Sequence, residues 1–409
     1  MKLALLWLLW AQVPAAQEAA WSEREWAKAR AHTPLAEPRP NPTNRLADDA
    51  RAARLGQRLF FDARFSANGS VSCASCHAPD LGFADGKSLS TGLGRTTRHS
   101  LSLWNVAQQR WFFWDGRADS LWAQAVQPLE TPKEMGFDRV SLGRALRGDA
   151  ELKREYEELF GALPDVTTWP ARAAPSDDGS ELALAWQRMD PQEQRAASRV
   201  AANFGKALEA YERRLQRGDA PFDRFVAGAA QALSDSARRG WKLFAGRGNC
   251  RSCHSGPAFT DGEFHNIGIP PLAGGKPEDP ARYAGIDFVR ADPFNARGEF
   301  SDAREGERAL ELETLERTPQ NFGEYRTPSL RNVALTAPYM HQGQLKTLAE
   351  VVNFYSTLEG ATPIGHHQEQ VLQPLKLSAS EAADLVAFLE SLTGAAPSAA
   401  LLAPLDARR

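Results

Sequence analysis

Two stretches with one spelling, Cys73-Ala74-Ser75-Cys76-His77 and Cys250-Arg251-Ser252-Cys253-His254, constrain this chain more than anything else in it. Each is C-x-x-C-H, the attachment signature of a c-type haem. Two cysteine sulfurs add across the haem vinyl groups, and the adjacent histidine reaches the iron as proximal ligand. The 409-residue chain has 4 cysteines, and the two motifs use all of them. A zinc ribbon would bring its C-x-x-C pairs closer together, and neither a redox pair nor two disulfides would need the histidine. The expected cofactors are therefore two covalently bound haem c groups, held by Cys73, Cys76 and His77 and by Cys250, Cys253 and His254. With 31 Gly and 26 Pro beside an ordinary 43 % hydrophobic content, the fold class expected is mainly α, loop-rich and wrapped around cofactors that supply much of the core.

The first residues read Met-Lys, then an apolar run from Leu3 to Val13, then small residues around Pro14 to Ala20. This is the pattern of a secretory signal peptide, placed at 1–19. The run is too short for a membrane-spanning helix, and no later stretch is long enough. An uncleaved N-terminal anchor is the competing reading. Haem is attached to c-type cytochromes outside the cytoplasm, so the two signals agree on the periplasm, with no stable membrane insertion. A net charge of −3 and the absence of a basic run give no indication of nucleic acid.

The chain also repeats itself. Ala53-Arg-Leu-Gly-Gln-Arg-Leu-Phe60 matches Ala237-Arg-Arg-Gly-Trp-Lys-Leu-Phe244, each shortly before a haem motif. Ser102-Leu-Trp-Asn-Val-Ala107 matches Ser329-Leu-Arg-Asn-Val-Ala334; Phe113 and Gly116 then match Met340 and Gly343, and Ser120-Leu121 matches Thr347-Leu348. Four blocks in one order predict two cytochrome c-like helical haem domains related by internal duplication, 20–215 and 216–409.

Apolar spacing predicts helices over Asp48–Phe61 and Gln192–Arg214, and a closing helix behind the capping box Ser378-Ala-Ser-Glu381. Pro164 to Ser180 reads as a loop. Residues 266–325 are expected to form ordered loops around a haem edge or a docking surface, and the Ala/Pro-rich tail from Ala395 to fray.

The blocks Phe113-Trp-Asp-Gly-Arg-Ala-Asp-Ser-Leu-Trp-Ala-Gln124, with Glu134-Met-Gly136 downstream, and Ser329-Leu-Arg-Asn-Val-Ala-Leu-Thr-Ala-Pro-Tyr-Met-His341 add a further constraint. With the two haem motifs, they make the chain resemble the bacterial di-haem cytochrome c peroxidase/MauG superfamily over nearly its whole mature length. The resemblance implies that His77 is proximal ligand of a five-coordinate peroxidatic haem and Glu134 its distal acid–base. Gln124 and Phe113 would line the same pocket, and Trp114 would stand between the haems as a relay for holes. His254 would ligate an electron-transfer haem. Family peroxidases give that haem a methionine as sixth ligand and MauG a tyrosine; here the position falls at Asn353-Phe354-Tyr355, which favours Tyr355, with Met340 as runner-up. Tyrosinate is a hard anionic donor that stabilises high-valent iron, whereas a thioether raises the potential.

Two departures shape the expectation further. The family peroxidases carry a histidine after the first haem motif that plugs the distal site until an electron arrives, whereas Ser90 to Thr97 here has none. The family's interdomain calcium uses an asparagine with carbonyls of a T-x-P segment. Thr336 and Pro338 are present, but the asparagine position falls on His99, a poor calcium ligand, and Asn105 serves only with a shifted register. His341 and His265 are expected beside haem propionates, and His366-His367 on an exposed loop. Trp104, Trp111, Trp114 and Trp122 are expected around the first haem, as a hole route or as packing.

The expected function is a periplasmic di-haem enzyme of the MauG/MbnH-like branch. It would use hydrogen peroxide to oxidise a partner protein's side chain, a tryptophan by analogy. A cytochrome c peroxidase fed electrons by a small cytochrome c or copper protein is the enzyme alternative. A simple di-haem electron carrier is the non-enzymatic one, and would leave Glu134 without a task.

Overall fold

The computed structural model describes residues 21–176, 178–362 and 372–405. The export signal at 1–19 and the pair His366-His367 lie outside the described residues. Among these, fourteen α-helices are joined by long loops, and the sheet is one antiparallel pair, Phe264–His265 with Tyr325–Arg326. None of the described helices is long and apolar enough to cross a membrane.

The first core forms where helix Ala50–Phe61 crosses helix Pro191–Glu212. Asp49 starts the former by accepting the N–H groups of Arg51 and Ala52, and Asp190 followed by Pro191 starts the latter. Leu55, Leu59 and Phe60 turn inward as the apolar spacing requires. The second core forms where helix Asp235–Ala245 crosses Ala379–Glu390, the latter opened by the Ser378/Glu381 box. The glycine shared by the first repeated block has a packing reason in both. A Cβ on Gly56 would lie 1.9 Å from the Ala207 carbonyl oxygen, and one on Gly240 would lie 2.0 Å from that of Asp384. The helix backbones touch at these points, and only a residue without a side chain fits. Gly240→Ala is expected to cost about 1–3 kcal/mol by forcing the crossing apart, a loss that urea unfolding of the purified protein will measure.

The later blocks also repeat in geometry. Asn105 and Asn332 hold left-handed backbone, φ 58° and 63°, and each starts a short 3-10 turn. Phe113 and Met340 (φ 64° and 71°) sit in matching tight bridges, Phe112 with Ala118 and Tyr339 with Leu345. Ser120 and Thr347 then cap helices Leu121–Glu130 and Leu348–Thr357. Both asparagine amides donate to one carbonyl, that of Arg217, at 3.1 Å each.

Both ends of the chain cross the division expected at 215. Helix Glu23–Arg30 belongs to the second core, where Trp21 and Trp26 pack on Phe225, and Lys28 Nζ donates to the Ala245 carbonyl at 2.7 Å. The tail expected to fray instead forms the turn Ala399–Leu401 on the first core. Gln57 donates to the carbonyls of Ala400 and Ala403, and the Tyr211 hydroxyl donates to that of Leu401 at 2.6 Å. The stretch 266–325 is also more regular than its composition suggests. It holds helices Arg282–Ala291 and Glu307–Thr314, whose Val289, Ala309 and Leu312 enclose Trp111 in a small core of their own. Short amphipathic helices among many Gly and Pro carry too few apolar positions for periodicity to register.

Candidate haem sites and distal pocket

The two histidines are prepared alike. His77 Nδ1 lies 3.0 Å from the Phe83 carbonyl and His254 Nδ1 lies 3.1 Å from that of Phe259. A carbonyl can only accept, so Nδ1 carries the proton and Nε2 keeps its lone pair for a metal. Phe83 and Phe259 present these carbonyls from left-handed backbone, φ 55° and 52°. Burial lowers both histidine pKa values and keeps the rings neutral. No disulfide engages any of the four cysteines, which leaves every sulfur for haem attachment.

A cavity of about 480 Å³ adjoins Cys250, Cys253 and His254. Leu348, Val352, Leu385 and Leu389 give it an apolar wall, which suits the face of a porphyrin. Tyr355 and Met340 both line it. Tyr355 comes from helix Leu348–Thr357, and its phenol makes no hydrogen bond among the described residues. Burial pushes that phenol far above its usual range. Met340 enters from the Tyr339–Leu345 bridge, the counterpart of the one that holds Phe113.

At the first motif, Glu134 stands in the turn that follows helix Leu121–Glu130. The turn is held by the Glu134 and Gly136 N–H groups donating to the Thr131 carbonyl. The loop without a histidine pins it from the far side. Leu93 N–H donates to the Glu134 carbonyl at 2.9 Å, and a Cβ on Gly92 would lie 2.4 Å from that same oxygen. The carboxyl is half-buried. Burial raises its pKa, against the opposing pull of Arg117 and a hydrogen bond from Thr131. Its charge is felt at Cys76, so it stands within electrostatic reach of the first haem attachment.

The Arg117 guanidinium lies 3.5 Å from the centre of the Phe113 ring and is held by Asp115 and by Gln127 Oε1 at 3.0 Å. Phe113, Arg117 and Glu134 therefore form one neighbourhood. Gln124 is half-buried on the helix leading to it, with no side-chain hydrogen bond among the described residues. Arg117 was missed by reasoning from sequence, though it stands inside Asp-Gly-Arg, where a cation beside a run of aromatics was a signal.

Trp114 turns the other way. It lines the second cavity, its Nε1 donates to the His99 carbonyl at 3.0 Å, and its ring centre lies 6.5 Å from that of His341. One residue apart, Phe113 packs against the first core and Trp114 faces the second site. Of the other tryptophans expected around the first haem, Trp104 and Trp122 belong to the first core, Trp104 with its ring on Phe83 and also lining the second cavity, and Trp122 fully buried with its Nε1 on Thr43, whereas Trp111 belongs to the core of the insertion. Alternation along the chain sends neighbouring side chains to different sites, which closeness in sequence conceals. His341 and His265 both line the second cavity; His341 stacks on Tyr325 at 3.8 Å, and His265 bonds Asp261 at 2.8 Å.

The calcium donors do not assemble. His99 Nδ1 lies 2.7 Å from the Lys87 carbonyl. The Thr336 hydroxyl donates to the Val333 carbonyl at 3.1 Å, and Pro338 follows a cis bond. Asn105 is spent on Arg217, whose N–H it accepts at 2.7 Å. An imidazole amid carbonyls does not fit calcium, which needs a shell of oxygens.

Comparison with known proteins agrees with this arrangement. A family model described as di-haem cytochrome c peroxidase matches residues 50–231. The methylamine utilization protein MauG of Methylorubrum extorquens is 34 % identical over 370 residues, covering 89 % of this chain and 84 % of that protein. The cytochrome-c peroxidase IdrP1 of Denitromonas iodatirespirans is 35 % identical over 352 residues, covering 84 % and 81 %. Among solved structures, a MauG-like protein associated with microbial copper homeostasis superposes with a TM-score of 0.62 at 26 % identity, covering 94 % of this chain and 97 % of that one.

Proposed function

Because this chain belongs to the di-haem cytochrome c peroxidase family and so to the oxidoreductases that act on hydrogen peroxide, we propose that it works outside the cytoplasm, in the periplasm, oxidising a side chain of a partner protein in the MauG manner. When bound, the two haems supply the redox chemistry: peroxide takes two electrons, and the pair recovers them from the substrate. His77 and His254 hold the irons through Nε2. Glu134 takes a proton from one peroxide oxygen and returns it to the departing one, for which a carboxyl raised by burial is suited. Arg117 keeps that carboxyl from rising too far, and Phe113 and Gln124 restrict what enters. Trp114 lines the cavity beside His254 and directly follows Phe113, which places it to relay holes between the two sites. Two covalent units in one chain also fit an origin by duplication.

The observation that carries the MauG-like branch is Tyr355, a phenol without a hydrogen-bond partner among the described residues, facing the cavity beside His254. A phenol on the wall of that cavity is placed to meet an iron held by His254, and ferric iron is a good partner for its anion. Met340 on the same cavity favours the second reading, a cytochrome c peroxidase fed by a small cytochrome or copper protein. Treating the purified diferric protein with one equivalent of hydrogen peroxide, without reductant, separates the two. One high-spin and one low-spin haem that rapidly give a long-lived state two electrons above rest support the first reading. A protein inert until one electron is added supports the second.

A further inference from the structure

The repeated blocks place matching residues behind the two proximal histidines, and at one point they differ. In each, a serine hydroxyl holds the loop that follows the haem motif: Ser102 donates to the Gly82 carbonyl and Ser329 to the Ala258 carbonyl, both at 2.6 Å. The next residue of each loop, Phe83 or Phe259, offers the carbonyl that faces the histidine Nδ1. Two positions past each serine stands the side chain that covers that phenylalanine. In the first block it is Trp104, whose ring centre lies 4.8 Å from that of Phe83 and whose Nε1 has no partner among the described residues. In the second it is Arg331, whose guanidinium carbon lies 5.3 Å from the centre of the Phe259 ring.

Arg331 does what an indole cannot. Its side chain is fully buried, and all three of its nitrogens are engaged. Nε donates to the Pro257 carbonyl at 2.8 Å, Nη1 to Asp223 Oδ2 at 2.5 Å and Nη2 to the His32 carbonyl at 2.9 Å. Asp223 is fixed in turn by the Thr33 hydroxyl at 2.5 Å and the Ala220 N–H at 2.9 Å. His32 and Thr33 follow helix Glu23–Arg30, so the N-terminal segment that packs on the second core ends on this ion pair. Pro257, Ala258 and Phe259 thus present three successive carbonyls to Arg331, Ser329 and His254. The first loop has no such brace. The matching Leu81 carbonyl meets the Ala84 N–H at 3.3 Å and no side chain among the described residues, and Leu81 itself is exposed. An imidazole whose Nδ1–H is held by a carbonyl is a more basic ligand, and a more basic ligand favours ferric iron. We propose that Arg331 is a positioning residue for His254: it locks the Pro257–Phe259 loop onto Asp223, holds in place the carbonyl that orients the ligand, and so keeps the second haem's potential low. The inference needs only a haem at each motif and holds whichever substrate the enzyme takes.

The test is spectroelectrochemical titration of the haem-loaded Arg331→Lys protein, with the first haem as internal reference. Lysine keeps the charge beside Asp223 and loses the planar fork that reaches Pro257 and His32. The second haem should therefore move at least threefold toward ferrous at a fixed ambient potential, about 28 mV for one electron. The first haem should stay in place. A second-haem shift under threefold, a shift toward ferric, or an equal shift of both haems overturns the proposal, whatever the variant does to thermal stability. Should the lysine protein fail to load haem, the double variant Arg331→Gln/Asp223→Asn decides by the same readout. It removes both charges together, so the loss of the fork is what remains. A second haem at least threefold more ferrous than wild type supports the brace, and one within threefold overturns it.

Discussion

Replacing Glu134 by glutamine is expected to lower the rate of peroxide-driven oxidation by about 10²–10⁴-fold, the usual share of a positioned proton-transfer group. Both haem absorption spectra should stay as they are, because Glu134 attaches neither haem. The amide keeps the size of the side chain and loses only its basicity. The pH profile gives a second signature. Burial raises the Glu134 pKa, so the active carboxylate is present above that raised value and is lost as pH falls through it. The wild-type rate should therefore drop on the acid side at a pH above the ordinary glutamate range, and the variant should lack that limb. Stopped-flow mixing with peroxide across pH 4–8 reads both effects (roughly the range that brackets a glutamate moved upward by burial). A variant within threefold of wild type would place proton transfer elsewhere and reopen the electron-carrier reading.

The second large effect is expected at Tyr355. Replacement by phenylalanine removes the oxygen donor while keeping the ring, so the second haem should lose its low-spin EPR signal and the peroxide-oxidised state should become short-lived. Replacement by methionine should raise that haem's potential by on the order of 100 mV, within the roughly 0.8 V that axial ligands span. Frozen-solution EPR and potentiometry are the measurements. If the phenylalanine protein keeps its low-spin signal and a Met340→Leu protein loses it, the thioether is the ligand and the cytochrome c peroxidase reading takes over.

Much of this was legible in the sequence because the chemistry is spelled locally. A C-x-x-C-H block is a covalent instruction, and the repeat around Gly56 and Gly240 marks two helix crossings that admit no side chain. The cap at Ser378 lies where its box with Glu381 puts it. What the sequence concealed was direction. Phe113 and Trp114 are neighbours in the chain, yet Phe113 packs on the first core and Trp114 lines the second cavity; Trp104 and Trp122 share the first core, while Trp111 leaves it for the core of the insertion. Arg117 was hidden for another reason. A buried cation reveals its task only through what it lacks or faces, and that is a property of three dimensions. The short helices of the insertion fell below the length at which periodicity is distinguishable from composition.

The crossed ends have a consequence for the distance between the irons. Each core is fastened by a strap from the far end of the chain: Trp21 to Arg30 on the second, Ala399 to Leu402 on the first. Neither half can swing away without peeling a strap off its own neighbour, so the hinge that a two-lobed molecule would normally offer is braced shut. Electron tunnelling falls off exponentially with gap width, and a breathing gap would scatter transfer rates over orders of magnitude. A chain that laces its two halves together from both ends is expected to act as a fixed-length spacer between its two haem motifs.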